Sequence, residues 1–214
     1  MRADAATLRL ALFPRTGLLA EGFLVVAGAA LVALAAQIEL HLPFTPVPVT
    51  GQTFAVLLVG ASLGAVRALA TLSLYLAAGI AGVPVYAGGQ GGWEWLQGAT
   101  GGYLVGFVLA AALTGWLAER RWDRRFPSAV AALLTGNVVI YLFGLPWLAL
   151  ALDTGFERTL ELGLYPFVVG DLVKLYLAGA LLPSAWRAVE RVSATRRPPS
   201  PAPARGRRSA ARNR

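Results

Sequence analysis

Cysteine is absent from this chain of 214 residues, and histidine and lysine each occur once. Without cysteine there can be no disulfide, thiolate metal site or cysteine nucleophile. The lone His41 cannot build a histidine metal centre or a Ser–His relay, and we expect it to be a plain interfacial residue. The lone Lys174 lies in an apolar run and not in a G-x-x-x-x-G-K-[ST] motif, so the chain has no P-loop with which to hydrolyse ATP. The sequence therefore predicts neither an enzyme nor a metal or cofactor site.

Charge is also scarce. Only 14% of the residues are charged and 57% are hydrophobic, whereas soluble domains carry roughly 25% charged residues. The mean hydropathy of +0.61 is typical of a polytopic membrane protein. The net charge is +8, but the arginines lie at the ends of apolar runs and in a C-terminal tail, which indicates membrane topology and not nucleic-acid binding.

Six apolar segments predict an all-α membrane domain over residues 18–190, preceded by a cytoplasmic leader at 1–17. The second and third segments are short and nearly fused, which is tolerated where a helix lines a cavity and does not face lipid. The predicted segments are 18–38, 52–66, 68–83, 101–118, 128–150 and 165–186.

The connections between these segments alternate in charge. Arginines precede the first segment and follow the second, fourth and sixth, whereas the loops near 39–51, 84–100 and 151–164 hold a single arginine, Arg158. By the positive-inside rule, six spans place both termini in the cytoplasm of a prokaryotic cell whose plasma membrane the chain crosses. Residues 191–214 are rich in arginine and proline, so we expect a disordered cytoplasmic tail that can touch anionic membrane lipids.

Two outward loops carry uncharged polar groups and aromatic rings. Residues 42–53, LPFTPVPVTGQT, combine prolines with Gln52, and residues 82–107 combine seven glycines between 88 and 102 with Trp93 and Tyr103. Trp93 has two readings: it belongs to an interfacial aromatic belt, or it is a wall of a binding site. The accompanying glycines, which let backbone approach a ligand closely, favour the binding site.

The last segment contains Asp171 and Lys174 in an otherwise apolar run. Three residues apart on a helix, the two side chains share a face. They could form a structural ion pair, but charges at this depth are costly and usually mark functional sites. Asn137 and Tyr141, one turn apart on the fifth segment, add polar groups. Together these residues predict an outward pocket for a small, partly apolar solute with N–H donors and an anionic group.

Five motifs in the chain resemble the BioY family of biotin transporters. They are PVPVTGQT (46–53), GVPVYAGGQGG (82–92), GATGGYLVGF (98–107), GNVVIYLFGLPWL (136–148) and GDLVKLYLA (170–178). The resemblance covers about residues 18–186. It implies a six-helix bundle that binds biotin from outside as the substrate-binding S component of an energy-coupling factor (ECF) transporter, together with a membrane T component and cytoplasmic ATPase subunits.

The resemblance also implies roles for individual residues. Asp171 and Lys174 match the aspartate and lysine of the family's biotin site, Gln52 matches the glutamine after Pro-Val-Pro-Val-Thr, and the Gly-Gly-Tyr of the fourth helix matches Gly101, Gly102 and Tyr103. An Ala-x-x-x-Ala pattern that S components use against the T component is matched by Ala29 and Ala33. Two positions depart from the family pattern: Ala99 stands where a proline is usual, and Gly51 replaces a bulkier residue.

Three other functions remain open at this point. The chain could bind a different small, vitamin-like solute in the same architecture. It could be an intramembrane enzyme with Asp171 and Lys174 as acid and base, although no nucleophile or metal set accompanies them. It could also be a purely structural membrane protein, which the outward glycine-rich loop disfavours.

Overall fold

The computed structural model describes residues 6–13 and 17–195, and most of these are helical. The described part of the chain contains nine α-helices, two short antiparallel strands that pair Glu39 with Thr50, and single 3₁₀ turns at Ala87–Gly89 and Trp122–Arg124. The helices are α1 Leu8–Leu12, α2 Leu18–Ala36, α3 Gln52–Leu63, α4 Ala65–Ile80, α5 Trp93–Gln97, α6 Gly101–Glu119, α7 Phe126–Leu152, α8 Phe156–Gly163 and α9 Tyr165–Thr195; the strands are β1 Glu39–Leu40 and β2 Val49–Thr50.

Each of the six predicted apolar segments coincides for most of its length with one helix of the bundle. Four helices, α2, α6, α7 and α9, are long and apolar enough to cross a membrane, and the chain is a multi-pass membrane protein. The two shorter apolar helices are α3, with 12 residues, and α4, with 16. At 1.5 Å per residue they are only about 18 Å and 24 Å long, less than the roughly 30 Å hydrocarbon core of a bilayer.

The break between α3 and α4 is a single glycine with an unusual backbone conformation. Gly64 has φ +85°, a value that L-amino acids with a side chain rarely adopt. The carboxylate of Glu119, at the end of α6, accepts a hydrogen bond of 2.9 Å from the amide of Ala65 and so caps the N-terminus of α4. Because α4 begins at Ala65, Arg67 lies in its first turn and not between the two helices as expected.

Helix α6 is the centre of the bundle and packs against α3, α4 and α7. Small residues permit these close contacts, as is common where helices associate in membranes. A Cβ added at Gly60 of α3 would collide with the backbone of Ala111 on α6, and one at Gly115 of α6 would collide with the backbone around Ala65. The close approach of α3 and α6 thus depends on glycine on both sides.

Polar contacts at one end of the bundle join its helices. Glu21 of α2 pairs with both Arg9 of α1 and Arg67 of α4. In the turn between α6 and α7, the buried Asp123 accepts a hydrogen bond from the indole of Trp186 on α9. The opposite end carries the β-strand pair, the segment 81–100 and α8.

The described boundaries bear on the predicted leader and tail. Within the leader, α1 buries Leu8 and Ala11. Helix α9 continues to Thr195, so residues 191–195 are helical and do not belong to a disordered segment, which corrects the predicted boundary. The rest of the predicted tail, residues 196–214, lies outside the described part of the chain.

Candidate functional site

A cavity opens between the loop end of the bundle and its helices. The space between its walls, counted together with the solvent that enters it, is about 570 Å³. Its walls combine apolar and aromatic side chains with a few polar groups, and they come from both outward loops and from α3, α6, α7 and α9. The lining residues are Val47, Pro48, Thr50, Gln52, Thr53, Tyr86, Ala87, Trp95, Thr100, Tyr103, Leu104, Phe107, Ile140, Tyr141, Phe167, Asp171 and Lys174.

Asp171 is the most heavily hydrogen-bonded side chain in this cavity. Its carboxylate Oδ2 accepts from the amide of Asn137 at 3.1 Å and from the hydroxyl of Tyr141 at 2.5 Å, while Oδ1 accepts from the ammonium of Lys174 at 3.2 Å. Asp171 is only 5% exposed. Three donors from two helices therefore hold a buried carboxylate at the cavity wall, which is how a buried charge becomes tolerable.

Lys174 is the more accessible member of the pair. The side chain of Lys174 is 20% exposed, whereas the side chain of Asp171, taken without its backbone, is 6% exposed. The ammonium of Lys174 also donates to the hydroxyl of Thr53 at 3.0 Å. A second, smaller cavity adjoins the pair and is lined by Thr53, Asn137, Asp171 and Lys174 among others. The predicted helical face of Asp171 and Lys174 is thus confirmed as a geometry, with Thr53 on α3 as a further partner.

Gln52 lies at the start of α3 and is 5% exposed. Its side-chain carbonyl accepts a hydrogen bond from Thr50, and its amide donates to the hydroxyl of Tyr75 on α4. The side chain lines the cavity as the sequence motif suggested, and its two ends are held by different parts of the protein.

Tyr103 contributes its ring to the cavity. Its hydroxyl donates to the carbonyl of Gly163 at 2.9 Å, at the end of α8, and its ring meets Tyr141 edge-on at a centroid distance of 6.2 Å. A Cβ at Gly144 of α7 would collide with the Tyr103 ring, so this glycine makes room for it. The hydroxyl of Tyr103 is therefore engaged in holding α8, and an aromatic wall is what the residue offers a ligand.

Gly101 and Gly102 do not line the cavity. A Cβ at Gly101 would collide with the carbonyl of Leu96, and a Cβ at Gly102 would collide with Trp147 and the carbonyl of Phe143. These two glycines let the start of α6 pack closely against its neighbours, which positions the wall of the cavity.

The structure also separates the two tryptophans of the outward loop. Trp93 is 57% exposed and lies outside the cavity, whereas Trp95 lines it. Two residues apart on α5, the side chains differ by roughly 200° around the helix, so both cannot face the same side. Trp95 therefore supplies the aromatic wall at this point of the cavity, and a role of Trp93 in binding stays a prediction.

Several lining residues were not predicted, although two of them have a signal in the sequence. Phe107 lies four residues after Tyr103, and Phe167 lies four residues before Asp171, so each shares a helical face with a predicted residue. Ala87 enters the cavity from the segment between α4 and α5, next to Tyr86, which belongs to the aromatic residues of the outward loop 82–107; no pattern in the sequence marks Ala87.

Ala29 and Ala33 pack within the chain. Ala29 belongs to the buried core, and Ala33 packs against that core while partly buried. The exposed side of α2 carries larger apolar residues, such as Phe23 and Leu34. Use of the alanine pair as a partner interface stays a prediction, one that their burial does not favour.

The described residues contain no group of three His, Cys, Asp or Glu side chains that could hold a metal ion. The polar groups of the cavity are instead one carboxylate, one ammonium, an amide and several hydroxyls. This set suits recognition of a neutral or anionic organic solute by hydrogen bonds.

Known proteins resemble the chain in sequence. The chain is 37% identical over 161 residues to the biotin transporter BioY of Rhizobium etli, an alignment that covers 72% of this chain and 85% of that protein. It is 38% identical over 154 residues to the probable biotin transporter BioY of Pyrococcus horikoshii, covering 72% of this chain and 88% of that protein.

The fold resembles a solved structure, the crystal structure of the S-component for biotin from an ECF-type ABC transporter. The TM-score is 0.71 and the sequence identity is 22%, over 79% of this chain and 92% of the other. The profile of the BioY family matches residues 9–191. This chain therefore belongs to the BioY family.

Proposed function

We infer that this chain binds biotin and takes it up across the plasma membrane as the substrate-binding S component of an ECF-type transporter. The observation that carries this inference is the buried Asp171, held by Asn137, Tyr141 and Lys174 at the wall of the cavity. The biotin transporters among its relatives support the choice of substrate.

Biotin has the chemistry that this cavity can recognise. Its ureido ring carries two N–H donors and a carbonyl, its thioether ring is apolar, and its tail ends in a carboxylate. Asp171 accepts the N–H groups, Lys174 and Thr53 offer donors to an oxygen, and the rings of Trp95 and Tyr103 supply flat apolar walls.

Energy for uptake comes from other subunits. The sequence contains no P-loop motif, so hydrolysis of ATP belongs to cytoplasmic ATPase partners, which a membrane T component joins to this chain. No nucleic acid is involved in this assignment.

The arginines at one end of the bundle support a topology with six spans and both termini inside. In this proposal the end with Arg9, Arg67 and Asp123 faces the cytoplasm and the end with the cavity faces outward. Within this arrangement residues 1–17 precede the membrane domain, the domain ends after α9, and the arginine-rich tail lies near anionic lipid.

Calorimetric titration of the purified, detergent-solubilised protein tests the function. We expect saturable binding of biotin and none of thiamine, with desthiobiotin as a close analogue. In Asp171→Asn and Lys174→Met we expect the affinity to fall by about 10- to 100-fold, because hydrogen bonds to charged groups are lost.

Glu161→Gln is the matched control, since it removes a charge from the exposed end of α8. It should bind biotin like the parent. A folded parent that fails to bind biotin contradicts the proposed function, and parent-like binding by folded Asp171→Asn contradicts the proposed site.

A further inference from the structure

We propose that Tyr75 is a positioning residue that fixes the orientation in which the Gln52 side-chain amide meets the ligand. Tyr75 lies on α4, is 2% exposed and does not line the cavity itself. The inference rests on the proposed function for the identity of the ligand, and the contacts of Tyr75 with Gln52 and Val85 carry the rest.

Four groups form a continuous hydrogen-bond chain. The hydroxyl of Thr50 donates to Oε1 of Gln52 at 3.0 Å, and Nε2 of Gln52 donates to the hydroxyl oxygen of Tyr75 at 2.6 Å. The hydroxyl of Tyr75 in turn donates to the backbone carbonyl of Val85 at 3.1 Å. The chain links β2, α3, α4 and the segment between α4 and α5.

The backbone carbonyl of Val85 determines which group donates and which accepts in each of these hydrogen bonds. The carbonyl of Val85 can only accept, so the single hydroxyl proton of Tyr75 is used there and the Tyr75 oxygen is left as an acceptor. Only the NH₂ end of the Gln52 amide satisfies that acceptor, and Oε1 must then point toward Thr50. Because the two ends of an amide have nearly the same shape, its orientation depends on such a network.

The consequence for binding is a defined donor and acceptor pattern. With one N–H of Nε2 bound to Tyr75, Gln52 has one N–H donor left, and with Thr50 bound to Oε1 it has one acceptor position left. A ligand therefore meets the Gln52 amide in a single orientation, and not in a mixture of two that differ by a 180° rotation. Without the Tyr75 hydroxyl, the amide is free to rotate by 180° and would present a mixed pattern.

The same hydroxyl connects Gln52 to the cavity wall. Val85 directly precedes Tyr86 and Ala87, which line the cavity. Tyr86 has its own anchor, because its hydroxyl donates to the carbonyl of Leu76 at 2.7 Å. The two tyrosine rings meet edge-on at 5.6 Å, so Tyr75→Phe keeps the packing and removes only the polar link.

The first experiment measures the affinity of Tyr75→Phe for biotin by titration calorimetry. We expect a loss of about 3- to 10-fold, the usual effect of one neutral hydrogen bond. Tyr176→Phe, on the exposed side of α9, is the matched control and should bind like the parent. Unchanged affinity in Tyr75→Phe would overturn the proposal.

A double-mutant cycle then separates positioning from packing. If Tyr75 acts through Gln52, Tyr75→Phe should cost little further affinity in a Gln52→Leu background, because there is no amide left to orient. Tyr86→Phe breaks the neighbouring anchor without touching Gln52, so its effect should add to that of Gln52→Leu. Additive losses for Tyr75→Phe and Gln52→Leu would refute the role.

A measurement on the ligand-free protein keeps this test independent of biotin. Selective ¹⁵N-glutamine labelling resolves the Gln52 side-chain amide, assigned by its absence in Gln52→Leu. We expect slow solvent exchange of this NH₂ group in the parent and faster exchange in Tyr75→Phe. Equal exchange in both proteins would overturn the positioning role, whereas a failure of the parent to bind biotin would overturn only the proposed function.

Discussion

At the residue scale, the site depends on how a few polar side chains are satisfied. Asp171 is tolerated at 5% exposure because Asn137, Tyr141 and Lys174 donate to it. A ligand with N–H groups can replace or join these donors without leaving the carboxylate unpaired. This is why charge at this position is compatible with both a stable empty protein and a binding site.

Asp123 is a second buried carboxylate, and it makes a prediction about pH. Burial raises the pKa of Asp123 to about 6 from its ordinary value of 3.8, although the hydrogen bond from Trp186 and the nearby Arg124 act in the opposite direction. The folded state therefore binds a proton more tightly than the unfolded state does. Stability attributable to this group falls as the pH rises from about 4 to about 6, and then levels off.

Asp123→Asn should remove this part of the pH dependence of the free energy of unfolding. Between pH 4 and pH 6 this part amounts to at most about 3 kcal/mol. The measurement is the thermal unfolding midpoint of the detergent-solubilised protein between pH 4 and pH 8, compared with the parent. Asp153→Asn, on the exposed loop after α7, should follow the parent curve. If the Asp123→Asn and parent curves run parallel, ionisation of Asp123 does not influence folding.

At the scale of elements, one glycine on α4 determines how the segment between α4 and α5 packs over the cavity. A Cβ at Gly79 would overlap the ring of Tyr86, and the carbonyl of Gly79 accepts a hydrogen bond of 2.6 Å from the amide of Gly92. Both ends of the segment that carries Tyr86 and Ala87 thus pack on the same turn of α4.

Gly79→Ala should displace Tyr86 and weaken biotin binding by at least about tenfold, since a wall of the cavity moves away from the ligand. Affinity is measured by titration calorimetry and folding by the unfolding midpoint. Gly22→Ala on α2 is the matched control, because a Cβ there meets nothing within 4 Å. The control should bind like the parent and gain slightly in helix stability; parent-like binding by Gly79→Ala would contradict the prediction.

The elements were only partly predictable from the sequence. The six apolar helices follow from runs of hydrophobic residues, and their ends fall within a few residues of the predicted positions except where α9 continues to Thr195. The short helices α1, α5 and α8 were not predicted. Helices of five to eight residues leave too little periodicity to recognise, and their stability comes from tertiary contacts, such as the bond from Tyr103 to the end of α8.

At the scale of the whole molecule, the absence of cysteine makes the proposed topology directly testable. A single cysteine can be introduced at Gly155, in the exposed loop before α8, or at Arg125, at the start of α7. In intact cells, a membrane-impermeant maleimide should label Gly155→Cys and not Arg125→Cys. Permeabilised cells provide the control, in which both variants react.

Labelling of Arg125→Cys in intact cells, with Gly155→Cys protected, would reverse the proposed orientation. Labelling of both would contradict the number of spans between them. Either result would contradict the proposed topology and leave the proposed binding site standing, because the cavity and its polar groups do not depend on the direction of insertion.

The sequence by itself determined the class of protein, the approximate helices and the motifs of its family. These properties depend on composition and on neighbours along the chain, which is also why Asp171 and Lys174 could be placed on one helical face. Only the tertiary structure decided that Thr53, Asn137 and Tyr141 surround that pair, that Trp95 and not Trp93 lines the cavity, and that Gln52 donates a hydrogen bond to Tyr75. Such contacts join helices that are far apart in sequence, and their geometry depends on how closely glycine and alanine allow the backbones to approach.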